Sequence, residues 1–158
     1  MVRDLNRKTM IHTLRKLFDR DLHKLKEEIE LYQNEDRIWY IEKNIANSGG
    51  NLCLHLVGNL KTYIGLHIGN FAYTRQRDLE FSLKNVPRTE LIQHIQETIE
   101  IVDKSLSQLD ESRLKEDFPI EVFSGKTTTI EYMLTHLATH LSYHLGQVNY
   151  HRRLLDSE

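Results

Sequence analysis

His136, His140 and His144 follow one another at intervals of four in the segment His136-Leu137-Ala138-Thr139-His140-Leu141-Ser142-Tyr143-His144-Leu145-Gly146-Gln147. On a helix of 3.6 residues per turn that interval stacks the rings along one face, one turn apart. Neutral imidazole is a common ligand of transition metals, and two histidines one turn apart are spaced to share one ion. The same stripe also fits polar packing against a neighbouring helix with no metal at all. What separates the two readings is a third ligand from another element, so the elements have to be placed first.

The chain has 158 residues, enough for one hydrophobic core and too few for two ordinary ones, and it reads as a single domain over residues 1–158. Lys and Arg number 21 against 23 Asp and Glu, a net charge of -2 that supplies no basic field for nucleic acid. The one cysteine, Cys53, has no partner for an internal disulfide. Met1-Val2-Arg3-Asp4-Leu5-Asn6 contains no apolar signal region, and no apolar run is long enough for a membrane span. These features give a cytoplasmic protein as the expectation.

Four long helices are predicted. The first runs from about Leu5 to Gln33, where Leu14, Leu17, Phe18, Leu25, Ile29 and Tyr32 recur at threes and fours. A mixed segment with Trp39 and Tyr40 ends in Asn47-Ser48-Gly49-Gly50, a run of turn formers and caps that opens a second helix over about Asn51 to Asn70. From Phe71 to Pro87 the periodicity stops. The charges of Arg75-Gln76-Arg77-Asp78-Leu79-Glu80-Phe81 read as a solvated turn with local pairs, or less readily as a basic lip for an anion.

The third helix follows Pro87 with the seam Ile92, Ile95, Ile99, Val102, Leu106 and Leu109, and His94 falls off it toward solvent. Phe118-Pro119-Ile120-Glu121-Val122-Phe123 is then expected to be extended or a hairpin over one end of the bundle. Thr128-Thr129-Ile130-Glu131 fits a capping box that starts the fourth helix, which runs to about Leu155. The fold class is therefore all-α, a four-helix bundle with a short extended segment or hairpin between helices three and four.

Angular bookkeeping at 100 degrees per residue selects the candidate ligands. His55 lies about 40 degrees from Asn59 and about 60 degrees from Leu52, on the inward face, whereas Cys53 points about 160 degrees away. On the last helix His144 is about 60 degrees from the core residue Leu141, His140 about 100 and His136 about 140, so His140 and His144 are the better inward pair. His136 is left as an outer donor, an exposed neighbour or an alternative ligand. His67 is assigned to the surface or a bundle edge, and His151 to a structural role. If helices two and four meet, His55, His140 and His144 can surround one divalent ion and leave a position open. Three imidazoles suit zinc or nickel, and also copper or ferrous iron.

At these residues the chain resembles the DinB-like superfamily, which includes the YfiT-like proteins. The resemblance rests on His140-Leu141-Ser142-Tyr143-His144-Leu145-Gly146-Gln147 together with Asn51-Leu52-Cys53-Leu54-His55-Leu56. The stretch from Asn47 to Leu60 is similar to an uncharacterised branch, and the resemblance covers essentially the whole chain. It implies a DinB-like four-helix bundle with a three-histidine metal site at His55, His140 and His144, and a homodimer. Better characterised relatives include bacillithiol S-transferases and a mycothiol-dependent maleylpyruvate isomerase, in which the metal activates a low-molecular-weight thiol. Others carry the label of metal-dependent hydrolase by analogy.

The residues favour thiol chemistry. A zinc protease of the His-Glu-x-x-His type places a glutamate beside its first ligand, but Leu141 follows His140 and Leu137 follows His136. Neither ligand-bearing face offers a carboxylate base, while acids on the first and third helices stay open. A thiol needs no such base, because a divalent metal lowers its pKa. The expected function is a metal-dependent transferase joining a small thiol to an electrophilic substrate, with Asn59 or Tyr143 able to orient the substrate. The alternatives are a metal-dependent hydrolase, a non-catalytic metal-binding bundle, and a bundle without metal.

Overall fold

The computed structural model describes residues 9–156, and these are all-helical: α1 Met10–Leu31, α2 Gly49–Leu60 continuing as one wider π-helical stretch Lys61–Leu66, α3 Arg77–Ser82, α4 Arg88–Gln108 and α5 Ile130–Leu155. Single 3-10 turns occupy Glu35–Trp39 and Glu111–Lys115. The predicted start of the first helix at Leu5 lies outside the described residues. Thr9 caps α1 by accepting from the His12 N–H at 3.2 Å, and Ser48 caps α2 by accepting from the Asn51 N–H at 3.1 Å. The cap of α5 is Thr129, which accepts from the Tyr132 N–H at 3.1 Å. The expected box of Thr128 with Glu131 is therefore displaced by one residue, and Glu131 pairs with Lys115 instead.

The long helices form a bundle in which α1 packs on α4 and α5, and α2 packs on α5 and α4. Thus α1 and α2 occupy opposite corners, as do α4 and α5. Such diagonal connections need long crossings, and residues 32–48 and 109–129 provide them across the bundle ends. The core is the predicted apolar seam. Leu14, Phe18, Leu25 and Ile29 of α1 meet Leu52, Leu56 and Leu60 of α2, Ile95 and Leu106 of α4, and Leu134, Leu137 and Leu141 of α5, all buried. Each fully buried leucine or phenylalanine contributes roughly 1.5–3 kcal/mol relative to an exposed one. On α4 the seam is shifted at its start, where Leu91 is buried and Ile92 is only half-buried.

Polar ties fix the crossings. Glu28 of α1 is 2% exposed and accepts from Asn149 and Arg152 of α5 at 2.8 and 2.7 Å. Glu111 accepts from the first two backbone N–H groups of α1, which have no partner within the helix. The extended segment expected between the last two long helices reduces to two isolated antiparallel bridges, Asp117 with Thr129 and Phe123 with Lys126, and no strand forms among the described residues. The connecting loop expected from Phe71 to Pro87 contains the helix α3, and the solvated turn read over Arg75 to Phe81 is corrected: a local pair does form between Arg75 and Glu80, but Glu80 is buried.

Candidate metal centre

Positions 52, 56 and 60 of α2 turn into the core, and that fixes where His55 points: toward the seam with α5, 8% exposed. On α5 the buried Leu137 and Leu141 hold His140 and His144 on the edge facing α2. The condition that the helices carrying the candidate ligands meet is fulfilled, since α2 and α5 are neighbours. His55 Nε2 and His140 Nε2 stand 3.2 Å apart. The His144 ring is perpendicular to both others, with centroids 5.2 Å from His55 and 4.5 Å from His140. One nitrogen from each of the three residues lies within 4.8 Å of the other two, a group that can hold a metal ion and that contains no carboxylate or thiol.

The donor set fits a divalent transition metal on two counts. Two nitrogens held at about 2.0–2.1 Å by one tetrahedral ion are about 3.3 Å apart, close to the separation of the His55 and His140 nitrogens. The second count is protonation, because only neutral imidazole ligates. Burial, then the neighbouring His144, His55 and His136 and the Arg75 cation, push His140 down to about 4. His144 is also lowered, by burial first and then by His55, against an opposing hydrogen bond to Gln147. That bond, 2.6 Å from His144 Nδ1 to Gln147 Oε1, puts the proton on Nδ1 because an amide oxygen only accepts. The Nε2 lone pair of His144 is thereby left free.

The other histidines sort differently. His136 stacks on His140 at 6.0 Å and takes the edge of Phe123 at 4.9 Å, outside the three-nitrogen group. His67 packs against Tyr63 and Phe118. His151 is structural: its Nε2 donates to the Tyr40 carbonyl at 2.8 Å and its Nδ1 accepts from the Tyr32 hydroxyl at 2.7 Å. His94 corrects the expectation of a solvent-facing side chain, being half-buried beside Glu90 and Glu97 in the wall of a 260 Å³ cavity. Cys53 is fully buried and its thiol is pushed up to about 12, so it is neither ligand nor nucleophile.

One residue of the site escaped the sequence reading. Glu80 of α3, 6% exposed, lies 3.5 Å from His55 Nδ1 through Oε1 and is gripped by Arg75, whose Nη2 is 2.7 Å from the same oxygen. Burial pushes the Glu80 carboxyl up, but the facing His55 and the hydrogen-bonded Arg75 guanidinium outweigh it and hold the group below its ordinary range. The signal that was available is Gly58, a helix-weakening residue three positions after His55, where an added Cβ would stand 2.8 Å from the Glu80 carboxylate. Of the two suggested orienting residues, Asn59 is buried with its Oδ1 lacking a hydrogen-bond partner among the described residues, and Tyr143 is 66% exposed beside His144.

The fold and this cluster define an all-helical protein in which α2 and α5 bring together three histidines able to hold a metal ion. Residues 5–158 match the family described as Protein of unknown function (DUF1572), and the chain belongs to that family. No curated protein matches the sequence. No helix among the described residues is long and apolar enough to cross a membrane.

Proposed function

We propose that the chain is a DinB-like protein in which His55, His140 and His144 hold one divalent ion, zinc or nickel, and which transfers a low-molecular-weight thiol to a small electrophile. The observation that carries this reading is the composition of the donor group: three imidazoles and no acid. A divalent ion held by these three neutral imidazoles would keep its full positive charge and would lower the pKa of a thiol bound beside it. The thiol proton then leaves to solvent, and the sulfur forms its bond to the electrophilic carbon as that carbon's leaving group departs.

A hydrolase of the metalloprotease type needs a free carboxylate as base on the open side of the metal. Glu80 does not meet that need. It lies on the Nδ1 side of His55, away from the converging nitrogens, and Arg75 engages both of its oxygens. Tyr143, exposed next to His144, instead offers a hydroxyl suited to orienting a substrate.

The test has two stages. Purified tag-free protein is assayed for metal by elemental analysis. It is then loaded with zinc or nickel and incubated with monochlorobimane and a panel of small thiols. Near-stoichiometric metal and a conjugation rate well above that of the apo protein are expected. Bound metal with no thiol conjugation across the panel would point to a closed, structural site, and absence of metal after incubation with each ion would end the metal reading. The homodimer that belongs to the DinB-like reading is checked by sedimentation, where the monomer mass of 18.7 kDa should double.

A further inference from the structure

We infer that Glu80 is a positioning residue: held in place by Arg75 and by the space at Gly58, it fixes the proton of His55 on Nδ1 and leaves Nε2 as the donor. The inference rests on the metal-centre reading above and adds the group that orients one of its ligands.

Three features converge on the placement of this carboxylate. The Arg75 pair is local, five residues apart, and needs no burial to form, yet Glu80 is pressed against α2 with its side chain 7% exposed. Space for it comes from Gly58, because a Cβ there would approach Cδ, Oε1 and Oε2 of Glu80 to 2.8 Å each. A glycine inside a helix lowers helix stability, so its presence marks the close approach. Six residues are also too few for a helix to persist alone. Asn51 of α2 secures α3 by donating from Nδ2 to the carbonyls of Glu80 and Leu83, both at 2.9 Å, while its own Oδ1 accepts from Ser48 and Lys84. Main chain and side chain of Glu80 are thus fixed by separate residues.

The consequence falls on the tautomer of His55. Its Nδ1 is buried and makes no hydrogen bond among the described residues, and Glu80 Oε1 at 3.5 Å is the acceptor it faces. A bare Nδ1 would set two acceptors against each other in a low-dielectric pocket, whereas Nδ1–H turns the pair into a charge-assisted interaction. With the proton on Nδ1, the lone pair on Nε2 faces His140 Nε2. A carboxylate behind a ligating histidine sets its tautomer and ring direction in this way in many metal sites.

Substituting Glu80→Leu gives a directional test, because His55 Nδ1 and Arg75 Nη2 face the same oxygen, Oε1, and an apolar side chain removes it. With no acceptor beside Nδ1 the proton moves to Nε2, where it can be donated to His140 Nε2 at 3.2 Å. Nitrogen-15 NMR of the histidine rings in metal-free protein at pH 7.5 should show His55 as Nδ1–H in wild type and as Nε2–H in Glu80→Leu. Zinc affinity, measured by competition with a chromophoric chelator, should fall about 10- to 100-fold. Gly58→Ala should lower zinc affinity with Glu80 intact, and it serves as the second variant if Glu80→Leu does not fold. Nδ1–H persisting in Glu80→Leu, with zinc affinity within twofold of wild type, would overturn the inference and leave Glu80 as a tether for α3. Inversion of the tautomer in a protein whose wild type binds no zinc would sustain the Glu80 assignment and overturn the metal-centre reading instead.

Discussion

At the scale of single residues, the chemistry of the site depends on keeping imidazoles neutral in a partly buried pocket. His140 is lowered to about 4 by burial and by the other histidines, and His144 is lowered as well. Both folded pKa values lie below the ordinary 6.5, so above that pH folded and unfolded states are equally deprotonated and the contribution to stability is fully present. As pH falls the unfolded chain takes up protons first. Urea unfolding of metal-free protein should therefore show stability declining from pH 6.5 toward about 4, and His140→Gln should flatten that decline. An equal slope in the variant would assign the decline elsewhere. Metal content separates the stripe further: His140→Ala and His55→Ala should abolish stoichiometric zinc, while His136→Ala, outside the three-nitrogen group, should retain it. The grouping of His55, His140 and His144 was legible because helical angles favoured them over Cys53 and His136 for the inward side. Glu80 was not, because in sequence it stands among Arg75, Arg77 and Asp78, where a charged residue reads as solvated. Only the tertiary approach permitted by Gly58 makes it part of the site.

At the scale of elements, glycine spacing distinguishes where α2 and α5 touch something. Gly50, in the first turn of α2, would bring a Cβ within 2.7 Å of the Trp39 ring, a flat and largely buried group that cannot swing aside. Gly50→Ala should destabilise by about 1–3 kcal/mol, the usual range for overpacking. Gly146, in the exposed middle of α5, has nothing within 4 Å of an added Cβ. Gly146→Ala should stabilise by about 0.4–1 kcal/mol through helix propensity and a less flexible unfolded chain. Thermal melts resolve the opposite signs, since each kcal/mol moves Tm by about 2–4 °C in a chain of this size. A destabilised Gly146→Ala would mean that another surface approaches α5 there. The long helices were legible from their three-and-four periodicity, and α5 ends where expected. The short helix α3 was not, because six residues carry too little periodicity to be distinguished from a turn. The π-helical end of α2 likewise depends on carbonyl register, as in the Gly69 N–H to Ile64 carbonyl bond at 2.9 Å, which side-chain pattern does not encode.

At the scale of the whole molecule, the site joins parts of the chain that are distant in sequence. His55 and His140 are 85 residues apart, and their helices are adjacent only because both crossings connect diagonal corners of the bundle. A metal bound by α2 and α5 together requires that arrangement, which the unfolded chain lacks, so binding free energy adds to folding free energy. At free zinc about 100-fold above its Kd the gain is about 2.7 kcal/mol, which corresponds to a Tm rise of roughly 5–11 °C. Calorimetry of wild type with and without zinc should show that rise, and His55→Ala, which leaves the histidines of α5 in place, should lose most of it. If His55→Ala instead keeps the full increase, the ion is held by His140 and His144 on α5 alone. The metal would then report on one helix, and its contribution to the bundle would come from stabilising α5 rather than from fastening it to α2.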